Sequence, residues 1–278
     1  MNWTEMCNGI LRGIEENLAD EIDYGVIARG AGLSPYYLQR VFSAMTGMSM
    51  AEYVRERRMS LAGQELQRGA KVIDTALKYG YESPESFQKA FKRFHGITPS
   101  AAKRPDAPLK WRNPLQIQIR LVGGGMMDYR VEKMDRLHVL VKEYTVAYDT
   151  CMTDVPRLWD EYAAQGLHEI VPGMLAVCFD SEPGSDFVYG IGDFCEEGAV
   201  VPEGYVVREL PAHTWAKFRA VGPMPDALQG LNRQIYTEWM PGNEQYLPVE
   251  GMNLEIYSEG DTGAADYESW IWIPVKER

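Results

Sequence analysis

The chain has 278 residues, is 45% hydrophobic and carries a net charge of −12. These values exclude a disordered chain and suit two folded domains of ordinary size. No apolar stretch approaches the roughly 20 residues of a membrane-spanning helix, and no apolar run follows a basic start, so the reading is a cytoplasmic protein with no membrane partner.

The first hundred residues contain an internal echo at a 49-residue offset. Ser34-Pro35, Leu38, Val41-Phe42, Met45 and Gly47 return as Ser83-Pro84, Phe87, Ala90-Phe91, Phe94 and Gly96. Each copy predicts a helix with a Ser N-cap, a Pro in its first turn and apolar residues at i, i+3, i+4 and i+7. Helix-like segments at 24–30 and 73–79 precede the copies, ending in small-residue turns at Ala31-Gly32 and Gly80. Helix, tight turn and capped helix make a helix-turn-helix, here present twice. Residues 49–68 lack proline and predict one long helix, with Arg55, Arg57 and Arg58, that sets the spacing of the two units. Successive major-groove faces of one duplex lie about 34 Å apart.

Removing the core stripe leaves Tyr36, Tyr37, Gln39 and Arg40 on the open face of the first capped helix. The second leaves Ser86, Gln88, Lys89, Lys92 and Arg93. Gln and Arg read base edges, while Lys and Arg neutralise phosphates. These nine residues are the candidate DNA contacts.

Charge divides unevenly along the chain. Residues 1–105 sum to +2 and residues 106–278 to −14. A near-neutral domain binds DNA if its cations cluster on one face, and an acidic companion favours cationic ligands. Three prolines and four basic residues between Ala102 and Pro114 mark the boundary. The predicted organisation is a DNA-binding domain at 1–105, a linker at 106–114 and a second domain at 115–278.

The second domain has its own repeat. Strand-like segments at 129–134 and 137–144 resemble 205–210 and 214–221; helical segments at 154–165 and 227–240 correspond. Strand pairs at 174–180 and 186–193 recur at 252–258 and 266–275. The expected fold is multidomain: an all-α N-terminal domain with two helix-turn-helix units, then an α+β domain of two pseudo-symmetric strand-helix-strand-strand repeats, with helices on one sheet face.

Side-chain alternation separates two faces. Leu175, Val177, Phe179, Leu254 and Ile256, with Phe187, Tyr189 and Ile191, are expected beneath the helices. The other face offers Ala176, Cys178, Gly190 and Gly192 in one repeat, against Glu255, Tyr257, Trp270 and Trp272 in the other. The candidate ligand-binding residues are therefore Glu255, Tyr257, Trp270, Trp272, Ala176 and Cys178. A carboxylate among aromatic rings suits a lipophilic cation. The four Cys show no C-x-x-C pairing and the four His are dispersed. No metal site, disulfide or cofactor is expected.

Residues 5–104 resemble the DNA-binding domain of the AraC/XylS family of bacterial transcription regulators. The resemblance rests on Ile73, Ala76, Gly80-Tyr81, Phe87, Phe91-Lys92-Arg93-Phe94, Gly96 and Thr98-Pro99. It implies that Tyr36, Gln39 and Arg40 act as base readers; Pro84 and Glu85 depart from the polar, non-acidic residues usual there. Lys89 and Arg93 are therefore assigned to phosphates. Residues from about 112 onward resemble the GyrI-like small-molecule-binding domain, through Glu255-Ile256-Tyr257 and Ile271-Trp272-Ile273-Pro274-Val275. That resemblance implies a cleft Glu contacting cationic aromatic compounds, carried over to Glu255.

The expected function is a ligand-responsive transcription regulator, an activator, with no enzymatic activity. Its expected partners are double-stranded promoter DNA, a small hydrophobic effector and RNA polymerase; monomer and homodimer both remain open. Two alternatives stand beside it. Glu255 with Tyr257 would serve as a general base in a hydrolase of reactive small molecules, or the second domain would be a protein-interaction module.

Overall fold

The computed structural model describes residues 3–31, 33, 35–116, 127–147, 150–180, 186–249 and 251–278. The predicted cap at Ser34 and the turn residue Gly32 lie outside the described residues, as does the side chain of Tyr36. Six helices come first: α1 (Trp3–Glu16), α2 (Tyr24–Gly30), α3 (Pro35–Thr46), α4 (Met50–Gln67), α5 (Val72–Lys78) and α6 (Pro84–His95). Two compact units form, Met1–Gly32 with Met48–Arg120, and Leu33–Gly47 with Leu121–Arg278. This partition differs from a boundary at residue 105, because α3 belongs to the second unit.

In the first unit, Ser49 accepts the Glu52 amide at 3.1 Å and starts α4; Ser83 does the same for Ser86 and starts α6. Asp23 caps α2 through Val26 N–H. Gly96 closes α6 at φ 81°, where a side chain would be strained, with its N–H on Lys92 O at 2.8 Å. Gly47 ends α3 in the same way, at φ 73° with its N–H on Ser43 O, so the echo extends to its closing geometry. Phe87 and Phe91 of α6 bury against Met59, Ala62 and Leu66 of α4 and Ala76 of α5.

Two features of this unit go beyond the sequence reading. Arg57 of α4 is buried. Its Nε and Nη2 grip Glu15 of α1 at 2.8 Å each, and its Nη1 donates to the Arg112 carbonyl at 2.5 Å. Arg58 satisfies carbonyls after α1, at Leu18 and Asp20. The proline-bearing 106–114 segment is laid along α4 as a strap. The amides of Lys110, Arg112 and Leu115 donate to His95 Nδ1, Ser60 Oγ and Tyr53 Oη at 3.1, 2.9 and 2.9 Å. A chain that cannot continue as helix still has amides to satisfy, and these side chains accept them.

The second unit contains strands β1 (Tyr129–Met134), β2 (Leu137–Ala147), β3 (Leu175–Asp180), β4 (Asp186–Cys195), β5 (Val206–Leu210), β6 (His213–Val221), β7 (Tyr246–Pro248), β8 (Met252–Tyr257) and β9 (Glu268–Glu277). It also contains α7 (Cys151–Ala164) and α8 (Asp226–Gln234), the latter running on into a wide π-type turn at Ile235–Trp239. The eight longer strands match the repeat; β7, paired to β9, was not expected.

All pairings are antiparallel, in the order β1-β6-β9-β8-β3-β4-β2-β5. Exchanging the repeats reverses that order onto itself, which places a pseudo-twofold between β3 and β8. The opening strands do not pair within their own repeat: β1 joins β6 and β5 joins β2. Two residues separate β1 from β2, and two separate β5 from β6. Six strand spacings in a flat sheet would be ~29 Å, beyond the ~11 Å that such a link spans. The sheet is therefore strongly curled.

Its concave face packs on itself. Val139, Val141, Leu175, Val177, Leu210, Trp215 and Leu254 form one buried cluster there, and Phe194 of β4 meets Trp272 of β9 at 5.8 Å across two intervening strands. Gly192 permits the close approach of β2 to β4, since a Cβ would stand 1.9 Å from the Leu140 carbonyl oxygen. The convex face carries the helices. Trp239, in the π-type turn after α8, packs edge-on to Phe218 at 4.9 Å, and α7 places Tyr162 and Trp159 over β3 and β4.

Candidate functional site

Cross-strand partners share a face of a sheet, so the register decides which predicted ligand residues meet. Ala176 lies opposite Glu255, and Cys178 opposite Asn253. Ala176 also faces Ile191, and Cys178 faces Tyr189. Ala176, Cys178, Glu255, Tyr257, Tyr189 and Ile191 thus stand together on the helix-bearing face. At the pseudo-twofold, one repeat supplies Ala176 and the other Glu255, directly opposite each other.

Trp270 and Trp272 stand elsewhere. They face Ile256 and Leu254 on the concave side, where Lys217 lies 3.9 Å from the Trp272 ring centroid. Gly190 and Gly192 share that side, opposite Val177 and Leu175. The aromatic ring set around Glu255 therefore excludes both tryptophans. Leu175, Val177, Leu254 and Ile256, expected beneath the helices, fill the concave core instead.

Glu255 is enclosed by the predicted Tyr257 together with Tyr189 and Trp159, which sequence reasoning did not assign to the site. Tyr257 donates to its Oε2 at 2.9 Å, and the Tyr189 hydroxyl lies 3.5 Å from the same oxygen. Trp159 of α7 donates its indole N–H to Tyr189 at 2.9 Å and sets its ring edge-on to Tyr257 at 5.2 Å. Burial, with the nearby Glu255 charge second, pushes the Tyr189 and Tyr257 hydroxyls well above their ordinary range. Both phenols remain donors. The arrangement can hold a positive centre against Glu255, with ring faces and edges for its apolar body.

A positive centre is already there. Arg40 of α3 brings Nη2 to 3.7 Å from Glu255 Oε1, with the side chains 13% and 19% exposed. Its Nε donates to Tyr236 Oη at 3.2 Å, its Nη2 to Asn232 Oδ1 at 3.4 Å, and its Nη1 reaches Cys178 Sγ at 4.0 Å. Tyr236 stands on the π-type turn and Asn232 on α8. Tyr37 stacks edge-on with Tyr236 at 5.9 Å and donates to Met240 Sδ at 3.7 Å. Tyr37 and Gln39 are only 5% and 8% exposed, which corrects their placement on an open face.

The second capped helix does present its polar face. Ser86, Gln88, Lys89, Lys92 and Arg93 of α6 are all exposed, with Phe87 and Phe91 turned into the core. Among the described residues, no group of three or more His, Cys, Asp or Glu could hold a metal ion, and no helix is long and apolar enough to cross a membrane.

Comparison with known proteins divides the sequence into two family matches, the first of which includes α3. Residues 27–104 match a helix-turn-helix domain family, and residues 136–275 match the family described as integron-associated effector binding protein. The transcriptional activator AarP of Providencia stuartii is 44% identical over 98 residues, covering 35% of this chain and 73% of AarP. The regulatory protein SoxS of Salmonella typhimurium is 33% identical over 101 residues, covering 36% of this chain and 94% of SoxS. The right origin-binding protein of Escherichia coli is 31% identical over 105 residues, 37% of this chain and 36% of that protein. The solved structure of SAV2435 bound to tetraphenylphosphonium has a TM-score of 0.48 at 21% identity, covering 54% of this chain and 94% of that one. The chain belongs to the AraC-type helix-turn-helix transcription regulators and carries a GyrI-like effector-binding domain of the integron-associated family, which makes it a ligand-responsive DNA-binding regulator.

Proposed function

We propose that the effector is a small lipophilic cation held at Glu255, and that the protein uses it to control promoter binding as an activator. The carrying observation is the Arg40–Glu255 pair: a carboxylate walled by Trp159, Tyr189, Tyr236 and Tyr257 already holds a guanidinium. Charge and ring faces together suit a cation with an apolar body, where each ring face contributes ~0.5–2 kcal/mol. DNA contact falls to Ser86, Gln88, Lys89, Lys92 and Arg93 on α6, and to Tyr36, Tyr37, Gln39 and Arg40 when α3 is presented. RNA polymerase is the natural further partner of an activator, and monomer binding suffices for two recognition helices on one duplex.

The test is fluorescence titration of the full chain with tetraphenylphosphonium and with neutral triphenylphosphine oxide. Glu255→Gln should weaken the cation by roughly 10- to 100-fold, as expected for a charged contact, without weakening the neutral compound. Equal loss for both would overturn the reading. The site is a binder, so prolonged incubation should return the compound chemically intact; product formation would instead favour a hydrolase.

A further inference from the structure

Base edges are reached by side chains that stand off a recognition helix into the groove. On α6 those side chains are exposed; on α3, Tyr37, Gln39 and Arg40 are covered. Leu38, Val41 and Phe42 of α3 are buried, as a core stripe should be, but Tyr37 and Gln39 are buried too. The Arg40 guanidinium is engaged by Tyr236, Asn232, Cys178 and Glu255, drawn from the π-type turn, α8, β3 and β8. Small Ala176 and Cys178 on β3 leave height above the sheet for that guanidinium. A residue suited to reading a base therefore stands where an effector's positive centre would stand.

We propose that α3 is the resting occupant of the effector cleft, and that a lipophilic cation acts by replacing Arg40 at Glu255 and releasing α3 to DNA. This deepens the proposed function and rests on its assignment of Glu255 as the cation's carboxylate. Two states suffice. In the closed state Arg40 pairs with Glu255 and α3 is covered; in the open state the cleft is vacant and the face of α3 is free. Cation and operator both favour the open state, so each raises the affinity for the other by the same factor. Couplings of this kind are typically about 5- to 150-fold.

The experiment uses the full chain and a duplex selected for binding from a random library, with tetraphenylphosphonium as the probe. Saturating probe should tighten DNA binding by about 5- to 150-fold. Glu255→Gln should show the tightened DNA affinity without probe and no further response. Arg40→Ala, read by fluorescence without DNA, should bind the probe more tightly because its internal competitor is gone. Asn232→Ala, which removes an Arg40 partner and spares Glu255, should raise both affinities and covers the case in which Glu255→Gln does not fold. If Glu255→Gln loses the probe but keeps wild-type DNA affinity, and Arg40→Ala keeps wild-type probe affinity, the cleft is a cation site and sequestration of α3 is wrong. If Glu255→Gln tightens DNA binding while the wild-type chain ignores the probe, sequestration stands and the assigned effector class is wrong.

Discussion

Trp159 and Tyr257 stand edge-on with ring centroids 5.2 Å apart, one on α7 and one beside Glu255 on β8. Trp159 therefore stands at the proposed cleft, while Trp272 is stacked under Lys217 on the opposite face of the sheet. Binding of tetraphenylphosphonium should quench Trp159. Trp159→Phe should abolish the signal, whereas Trp272→Phe should retain it. A signal that instead follows Trp272 would place the ligand on the concave face.

Lys89 is exposed on α6 and one turn from Lys92 and Arg93. As a phosphate contact it contributes to every sequence alike. Lys89→Ala should weaken operator and unrelated duplexes in equal proportion and reduce the slope of log affinity against log salt by about 1. A change in sequence preference at constant salt slope would make it a base reader.

His95 ties the strap to the first unit. Its Nδ1 accepts the Lys110 amide at 3.1 Å, so Nε2 carries the proton and donates to the Met59 carbonyl at 2.9 Å. Burial lowers its pKa below the usual 6.5, against the opposing effect of the Met59 carbonyl. A group whose folded pKa is depressed binds its proton more readily when unfolded. Its stabilising increment is full above about pH 6.5 and is lost as pH falls through the folded value. Amide exchange at Lys110 and Arg112 should therefore accelerate, relative to the intrinsic rate, between about pH 7 and pH 5. His95→Gln should remove that pH dependence.

Glu15 and Arg57 join α1 to α4 through a two-pronged pair in which Arg57 is buried and Glu15 partly exposed. Glu15→Ala strands the guanidinium with the Arg112 carbonyl and the Trp111 ring. It should cost about 3 kcal/mol, the low end for a broken buried pair, because Glu15 is partly exposed. Arg104→Ala, which breaks only the exposed pair with Asp106, should stay within about 0.5 kcal/mol. Urea unfolding of both variants provides the comparison.

The helices were legible because their signals are local. Ser83, Pro84 and Gly96 punctuate α6 within the segment itself, and its stripe repeats at the period of a helix. Strand positions were legible for the same reason, through alternation. Register was not, because it depends on residues far apart in sequence. The emptied side was assigned to Ala176, Cys178, Gly190 and Gly192 together, yet alternation within one strand says nothing of the phase of its neighbour. Size complementarity held the missing information: Gly192 and Gly190 sit opposite Leu175 and Val177, small against large, which fixes β3 against β4 and moves Tyr189 beside Glu255. The exchange of β1 and β5 between repeats was equally hidden, since two-residue links ordinarily signal hairpins. Burial of Tyr37 had no sequence signature, because its partner, Tyr236, lies some 200 residues downstream.

The pairing of Arg40 with Glu255 also bears on how such a protein changes over generations. In the proposed two-state scheme a single side chain answers to two selective pressures, the base it would read and the carboxylate it pairs with. On that scheme, a substitution at position 40 that shifts operator preference would reset, in the same step, the effector concentration at which the cleft opens. Regulon and threshold then drift together, and separating them requires a compensating change at Asn232, Tyr236 or Glu255.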